Sequence, residues 1–161
     1  MTIRYAVPDD VPALSAVEAE CFPPAEAATA AEFAERVAYY GNHFWLMYNG
    51  DKLISFVDGF VTDGTDLTDV MYENAAMHNE NGAWQMIFGV NTLPAYRQHG
   101  YAGELIQEAI ADAKKQGRKG LVLTSKDRLI PYYAKFGFVD EGVTEKSTHE
   151  NVAWHQMRLT F

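Results

Sequence analysis

A chain of 161 residues that is 48% hydrophobic and 13% aromatic is long enough to fill one core, and it is expected to form a single domain over residues 1–161. Its net charge of −9 argues against a general nucleic-acid binder, because phosphate recognition relies on accumulated Lys and Arg. No stretch reaches the roughly 18 apolar residues of a membrane helix, and Met1 to Pro12 carries acids and prolines where a signal peptide needs a basic start; a cytoplasmic protein without a membrane partner is expected.

Ile3 to Ala6 reads as a first strand. Pro8-Asp9-Asp10 then opens a helix that carries Leu14, Val17 and Cys21 on one face and ends at Cys21-Phe22-Pro23-Pro24. Thr29-Ala30-Ala31-Glu32 has the spacing of a capping box, and Phe33, Val37 and Tyr40 follow at helical intervals as far as Gly41. Phe44 to Tyr48 and Leu53 to Val61 flank Asn49-Gly50, a dipeptide suited to a tight antiparallel hairpin. Thr62 to Gly82 is a long acidic connection with one or two helical turns between Leu67 and Met77, of a length that in compact domains is functional or mobile; it is expected to cover an acceptor site.

Trp84 to Val90 is a continuous apolar run of central-strand character. A helix marked by Leu105, Ile106, Ala109, Ile110 and Ala113 runs to Gly117, and Gly120 to Thr124 makes the next strand. Leu129 to Phe136 is a short helix capped by Gly137, followed by strands at Phe138 to Val143 and Trp154 to Leu159. This order fits a mixed α/β sheet protein.

The single Cys21 rules out an intramolecular disulfide and reads as a small buried apolar residue. His43, His78, His99, His149 and His155 lack the spacing of a zinc-ligand pair, so no metal is expected. Between Lys52 and Arg97 there is no other Lys or Arg, while Asp58, Asp63, Asp66, Asp69, Glu73 and Glu80 fall in that interval. The acids either form a negative field favouring a cationic acceptor such as an amine, or are solvated loop charges.

From Met86 to Leu105 an apolar strand passes through a turn into a glycine-containing helix start. Free amides near Gly100, Tyr101, Ala102 and Gly103, the helix dipole and the small residues suit a phosphate. Without a full Gly-x-Gly-x-x-Gly or a Gly-Lys-Ser/Thr ending, it is neither a dinucleotide fingerprint nor a nucleoside-triphosphate loop. Gly89, inside a strand, marks a bulge or a close backbone approach.

Arg97-x-x-Gly100-x-Ala102 after a strand resembles the acetyl-coenzyme A pyrophosphate loop of the GNAT acyltransferase superfamily, (Gln/Arg)-x-x-Gly-x-(Gly/Ala). Leu129-Ile130-Pro131-Tyr132-Tyr133-Ala134-Lys135-Phe136-Gly137-Phe138 resembles that superfamily's later tyrosine-bearing helix closed by Gly-Phe. The element order extends the likeness to almost the whole chain. It implies an α/β (α+β) GNAT fold, one mixed and mostly antiparallel sheet with helices on both faces. Within the superfamily the chain is most similar to serotonin (arylalkylamine) N-acetyltransferases and their bacterial relatives, through Cys21-Phe22-Pro23, Leu67-Thr68 and the Tyr133 segment.

The resemblance implies a coenzyme site. The backbone of Phe88, Gly89 and Val90 would meet pantetheine and the thioester; the amides of Gln98, His99, Gly100, Tyr101, Ala102 and Gly103, with Arg97, would hold pyrophosphate. Tyr133 would be the general acid for the departing thiolate, a feasible but weakly driven transfer given pKa values of roughly 8.5 for a thiol and about 10 for tyrosine. An alkylamine must also lose a proton, at about 4.6 kcal/mol near neutral pH. The arylalkylamine enzymes keep two histidines at the start of the central strand, where this chain has Trp84 and Met86. Glu20, Glu73 and His149 are substitute bases, and a water chain is the alternative. Phe22, Trp84 and Met86 suggest an apolar acceptor pocket.

The implied activity is acetyl transfer from acetyl-coenzyme A to a small or arylalkyl primary amine by direct attack in a ternary complex. Protein or peptide N-acetylation and a non-catalytic acetyl-coenzyme A sensor are the alternatives. Oligomeric state is left open, a homodimer included.

Overall fold

The computed structural model describes residues 1–147 and 152–161. The chain forms two compact units, Met1–Gly59 with Gly89–Ala109, and Phe60–Phe88 with Ile110–Phe161. The mixed α/β architecture follows the expectation, and the strands hydrogen-bond in two sets, one in each unit.

In the first unit β1 (Thr2–Arg4), β2 (Phe44–Asn49), β3 (Lys52–Asp58) and β6 (Gly89–Thr92) lie in that order, all antiparallel. The β2–β3 hairpin turns one residue later than expected, at Gly50-Asp51 between the paired Asn49 and Lys52, and only Gly50 takes a left-handed φ, +60°. Helices α1 (Val11–Cys21) and α2 (Ala30–Tyr40) pack on each other, and α1 packs on β3 and β6. Leu14, Phe33, Tyr40, Phe44, Leu46, Ile54 and Phe56 form the core, with Phe33 edge-on to Phe56 at 5.8 Å between centroids. The capping box forms as read: Glu32 N–H donates to Thr29 Oγ1 at 3.2 Å, and Thr29 N–H donates to Glu32 Oε1 at 3.1 Å.

In the second unit β4 (Val61–Thr62) pairs antiparallel with β5 (Trp84–Met86), which runs parallel to β7 (Gly120–Ser125). Next come β9 (His155–Thr160) and the edge strand β8 (Val139–Val143), both in antiparallel pairings. Helix α3 (Asp69–Glu73) and a 3-10 turn at Ala75–Met77 supply the helical turns expected between Leu67 and Met77. Helix α4 spans Tyr101–Lys115, and α5 (Ile130–Ala134) follows a 3-10 turn and closes through Gly137, at φ +103°, onto buried Phe138.

Two apolar runs that read as single strands are each divided. Leu53 to Val61 breaks after Asp58, and Trp84 to Val90 breaks after Met86. At the break in the second unit buried Gln85 donates through Nε2 to Phe60 O at 3.2 Å and to Met86 O at 2.8 Å, beside the main-chain bond from Met86 N–H to Phe60 O at 2.8 Å.

The acidic connection is tethered rather than loose. Leu67 is fully buried and its N–H donates to Gln156 Oε1 at 3.0 Å, while Asp69 N–H donates to Lys146 O at 3.0 Å. Asp66 accepts from Gln156 Nε2 at 2.9 Å and Arg158 Nη2 at 3.1 Å and pairs with Lys146; Glu80 pairs with Arg118 at 3.1 Å. These ion pairs offset the charges of Asp66 and Glu80. Asp58 does not belong to it at all, being 1% exposed at the end of β3.

Candidate functional site

The loop at residues 97–103 lies in the first unit. Leu93 is buried, a 3-10 turn follows at Pro94–Tyr96, and Arg97 Nε donates to Thr92 O at 3.0 Å, which fixes the loop entry. Gln98 and Gly100 take left-handed φ values of +66° and +81°. Such a backbone turns amides outward and forms anion-binding concavities; at the non-glycine Gln98 it costs of order 1–3 kcal/mol, a strain typical of ligand-binding turns. Arg97, Gln98, His99 and Gly100 are exposed, and Tyr101, Ala102 and Gly103 are half-buried. Glu104 N–H donates to Gly100 O at 3.0 Å as the first i to i−4 bond of α4, so the preceding amides point out of the helix end. His99 stacks on Tyr101 at 5.5 Å. Nothing stands within 4 Å of a Cβ built at Gly100, so a phosphate has room against the backbone.

Gly89 and Val90 begin β6, half-buried and paired with Asp58 and Val57 of β3. A Cβ at Gly89 would stand 2.9 Å from Asp58 Oδ1 and 3.1 Å from Asn91 Nδ2. A Cβ there would force the Asp58 carboxylate or the Asn91 amide to shift, so the close approach at Gly89 is by side chains, chiefly a carboxylate. Arg36 of α2 faces this group, with Nη1 3.8 Å from Asp58 Oδ2. Glu18 of α1 lies in the same interior, accepting from Ala28 N–H at 3.0 Å. Burial pushes Asp58 up to about 7 against the pull of Arg36, with Glu18 adding to the rise. Burial likewise raises Glu18, opposed by Ala28 N–H and Arg36.

Asp58 and its partners are the functional candidates that sequence reading missed, with Asp58 counted among the loop acids. The available signal was its place as the sole charge in Leu53-Ile54-Ser55-Phe56-Val57-Asp58-Gly59-Phe60-Val61.

Phe22 is half-buried just beyond α1. Cys21 is half-buried rather than enclosed, donating to Thr92 O at 3.4 Å, and burial raises its pKa against the effect of Arg97, so it is no activated thiol. Glu20 is exposed on α1.

In the second unit Tyr133 is 8% exposed, edge-on to Tyr132 at 5.2 Å and to Phe138 at 6.3 Å. Burial, then the neighbouring Tyr132 and Tyr72, pushes its pKa well above the usual tyrosine range. Full proton donation to a thiolate is thereby harder than for a free phenol, whereas hydrogen-bond donation is unaffected. Phe88 is half-buried between Phe60 at 4.9 Å and Tyr72 at 4.8 Å.

Trp84 and Met86 are core residues here. Met86 has no exposed surface, and Trp84 is buried with the Arg158 guanidinium over one face of its ring at 4.6 Å. Glu73 is exposed on α3, and His149 lies outside the described residues. Among the described residues no helix is long and apolar enough to cross a membrane.

The sequence profile of the acetyltransferase (GNAT) family matches residues 11–138, and the chain belongs to that family. Among solved structures it is similar to the loading GNATL domain of CurA from Lyngbya majuscula, with TM-score 0.84 and 15% identity over 99% of this chain and 96% of that one. It is also similar to the GphF GNAT-like decarboxylase in complex with isobutyryl-CoA, with TM-score 0.83 and 21% identity over 99% of each chain. A GNAT family acetyltransferase from Brucella melitensis in complex with acetyl-CoA gives TM-score 0.63 and 20% identity over 99% of this chain and 87% of that one. At these identities the likeness is one of fold. Among curated protein sequences there is no match.

Proposed function

We propose that residues 1–161 act as one acetyltransferase domain that moves an acetyl group from acetyl-coenzyme A to a small or arylalkyl primary amine, by direct attack in a ternary complex. The observation that carries this reading is the exposed 97–103 loop, whose left-handed Gln98 and Gly100 turn amides outward at the start of a 15-residue helix in a chain of this family. The amides of Gln98 to Gly103, with Arg97, hold the pyrophosphate. The backbone of Phe88, Gly89 and Val90 meets the pantetheine and the thioester carbonyl, and oriented amides there stabilise charge that develops on the carbonyl oxygen. Tyr133 donates a hydrogen bond to the departing sulfur. Phe22 is the apolar contact for the acceptor, and the full burial of Met86 counts against a wider aromatic pocket.

The test is free-thiol release from acetyl-coenzyme A with 2-phenylethylamine, putrescine and a short peptide bearing a free N-terminus. Release with the small amines supports the reading, release with the peptide alone favours peptide acetylation, and silence with all three despite coenzyme binding favours a sensor.

A further inference from the structure

The buried polar interior of the first unit has more charge than a scaffold needs. Glu18 of α1, Arg36 of α2, Asp58 of β3 and Asn91 of β6 are all at least nine-tenths buried; Asp58 and Asn91 stand against Gly89, Arg36 faces Asp58, and Glu18 acts on Arg36 and Asn91. Two carboxylates face one guanidinium, so the group carries one excess negative charge when both acids are ionised. Asp58 Oδ2 is buried and makes no hydrogen bond among the described residues; Arg36 Nη1, at 3.8 Å, stands beyond bonding distance. A buried charge with an unfilled acceptor is costly, and apolar replacement of such groups is often stabilising. Its other oxygen lies against the one strand position without a side chain, and Gly89 itself is half-exposed.

We propose that Asp58 is the proton acceptor for the attacking amine, a role that rests on the acetyl-transfer reading above. One proton passes from the ammonium to the Asp58 carboxylate. The freed nitrogen lone pair forms the N–C bond to the acetyl carbon as the C–S bond breaks. The second nitrogen proton ends on the coenzyme sulfur, giving amide and free thiol, and Asp58 returns its proton to solvent. Two further groups set its proton affinity, Arg36 lowering it and Glu18 raising it, and Asp58 in turn makes the Tyr40 hydroxyl on α2 harder to ionise. A carboxylate raised to about 7 is matched to a base working near neutral pH.

The experiment combines two measurements on the full chain. Carboxyl carbon NMR of aspartate-labelled enzyme, assigned with Asp58→Asn, is expected to show one aspartate titrating near neutrality and shifting when acetyl-coenzyme A is added. Thiol release with 2-phenylethylamine, putrescine and the free-N-terminus peptide is expected to rise with pH through that same value. Asp58→Asn should lower it at least a hundredfold and abolish the rise while the fold melts no lower than wild type. Glu18→Gln should move the rise to lower pH by about half a unit or more, a shift that a merely structural role would not give. Ionisation of Asp58 in the usual carboxylate range, or turnover and pH profile unchanged in Asp58→Asn, overturns the assignment alone. No thiol release with any acceptor overturns acetyl transfer and this assignment with it.

Discussion

The Asp58 carboxylate and the Gly89 backbone face each other across the β3–β6 pair, with Oδ1 2.9 Å from where a residue-89 Cβ would sit. Alanine at 89 should gain about 0.5–1 kcal/mol in strand conformation, but the overlap, in an interior that Arg36 and Asn91 hold, costs about 1–3 kcal/mol. The clash wins. Gly89→Ala should lower the denaturation midpoint, and combining it with Asp58→Ser should recover part of the loss, measured as non-additivity in a double-mutant cycle.

Asp58 also makes stability depend on pH in an unusual direction. Its folded-state pKa, about 7, lies above the unfolded carboxylate value, so between about pH 4 and 7 the native state keeps a proton that the unfolded chain has released. Stability therefore falls as pH rises through this window and is level above it. Asp58→Asn, which mimics the protonated form, should be more stable than wild type by a few kcal/mol at pH 8 and about equal at pH 4. Thermal melts at the two pH values give the comparison, and equal differences at both would refute the burial argument.

Asp10 behaves in the opposite sense. Arg4 grips it with two bonds of 2.7 and 2.8 Å, and Val7 N–H and Tyr48 Oη add bonds of 2.8 and 2.7 Å. Burial works to raise its pKa, and these partners together outweigh it, so the folded value lies below the unfolded one. The stabilisation is present above about pH 4 and disappears as pH falls through the folded value. Asp10→Asn should cost about 1–3 kcal/mol at pH 7 and much less at pH 2.5, read from denaturant midpoints.

Tyr133→Phe should lower turnover at least tenfold and leave the acetyl-coenzyme A dissociation constant within about twofold, since the hydroxyl is proposed to act on the departing sulfur. Because burial holds its pKa far above neutral, no limb of the wild-type pH profile below about pH 10 should belong to Tyr133. Unchanged turnover of an amine that wild type acetylates would remove Tyr133 from the mechanism.

Local signals in the chain carried furthest. The Thr29–Glu32 box and the α4 periodicity each depend on residues a few positions apart and form as read, and the β2–β3 hairpin forms with its turn one residue later than read, at Gly50-Asp51. The divided strands were not legible, because an uninterrupted apolar run says nothing about where its hydrogen-bonding partner changes; here Gln85 closes two carbonyls at the break. The tethering of Leu67 and Asp66 by Gln156 and Arg158 joins residues about 90 positions apart, beyond any local pattern. Asp58 looked like one more loop acid until β6 and α2 enclosed it, whereas the left-handed turn at Gly100 was readable from its glycine and the one at Gln98 was not.

The central claim, that the 97–103 loop holds acetyl-coenzyme A, is tested most directly by calorimetric titration of that ligand into wild type and Gly100→Val. Gly100 sits at φ +81° with open space around it, so valine perturbs the loop backbone without displacing a neighbour. Saturable binding to wild type, weakened at least tenfold in a Gly100→Val protein whose melting temperature shows it folded, is the predicted result; no binding to wild type, or equal dissociation constants for the two proteins, would contradict it.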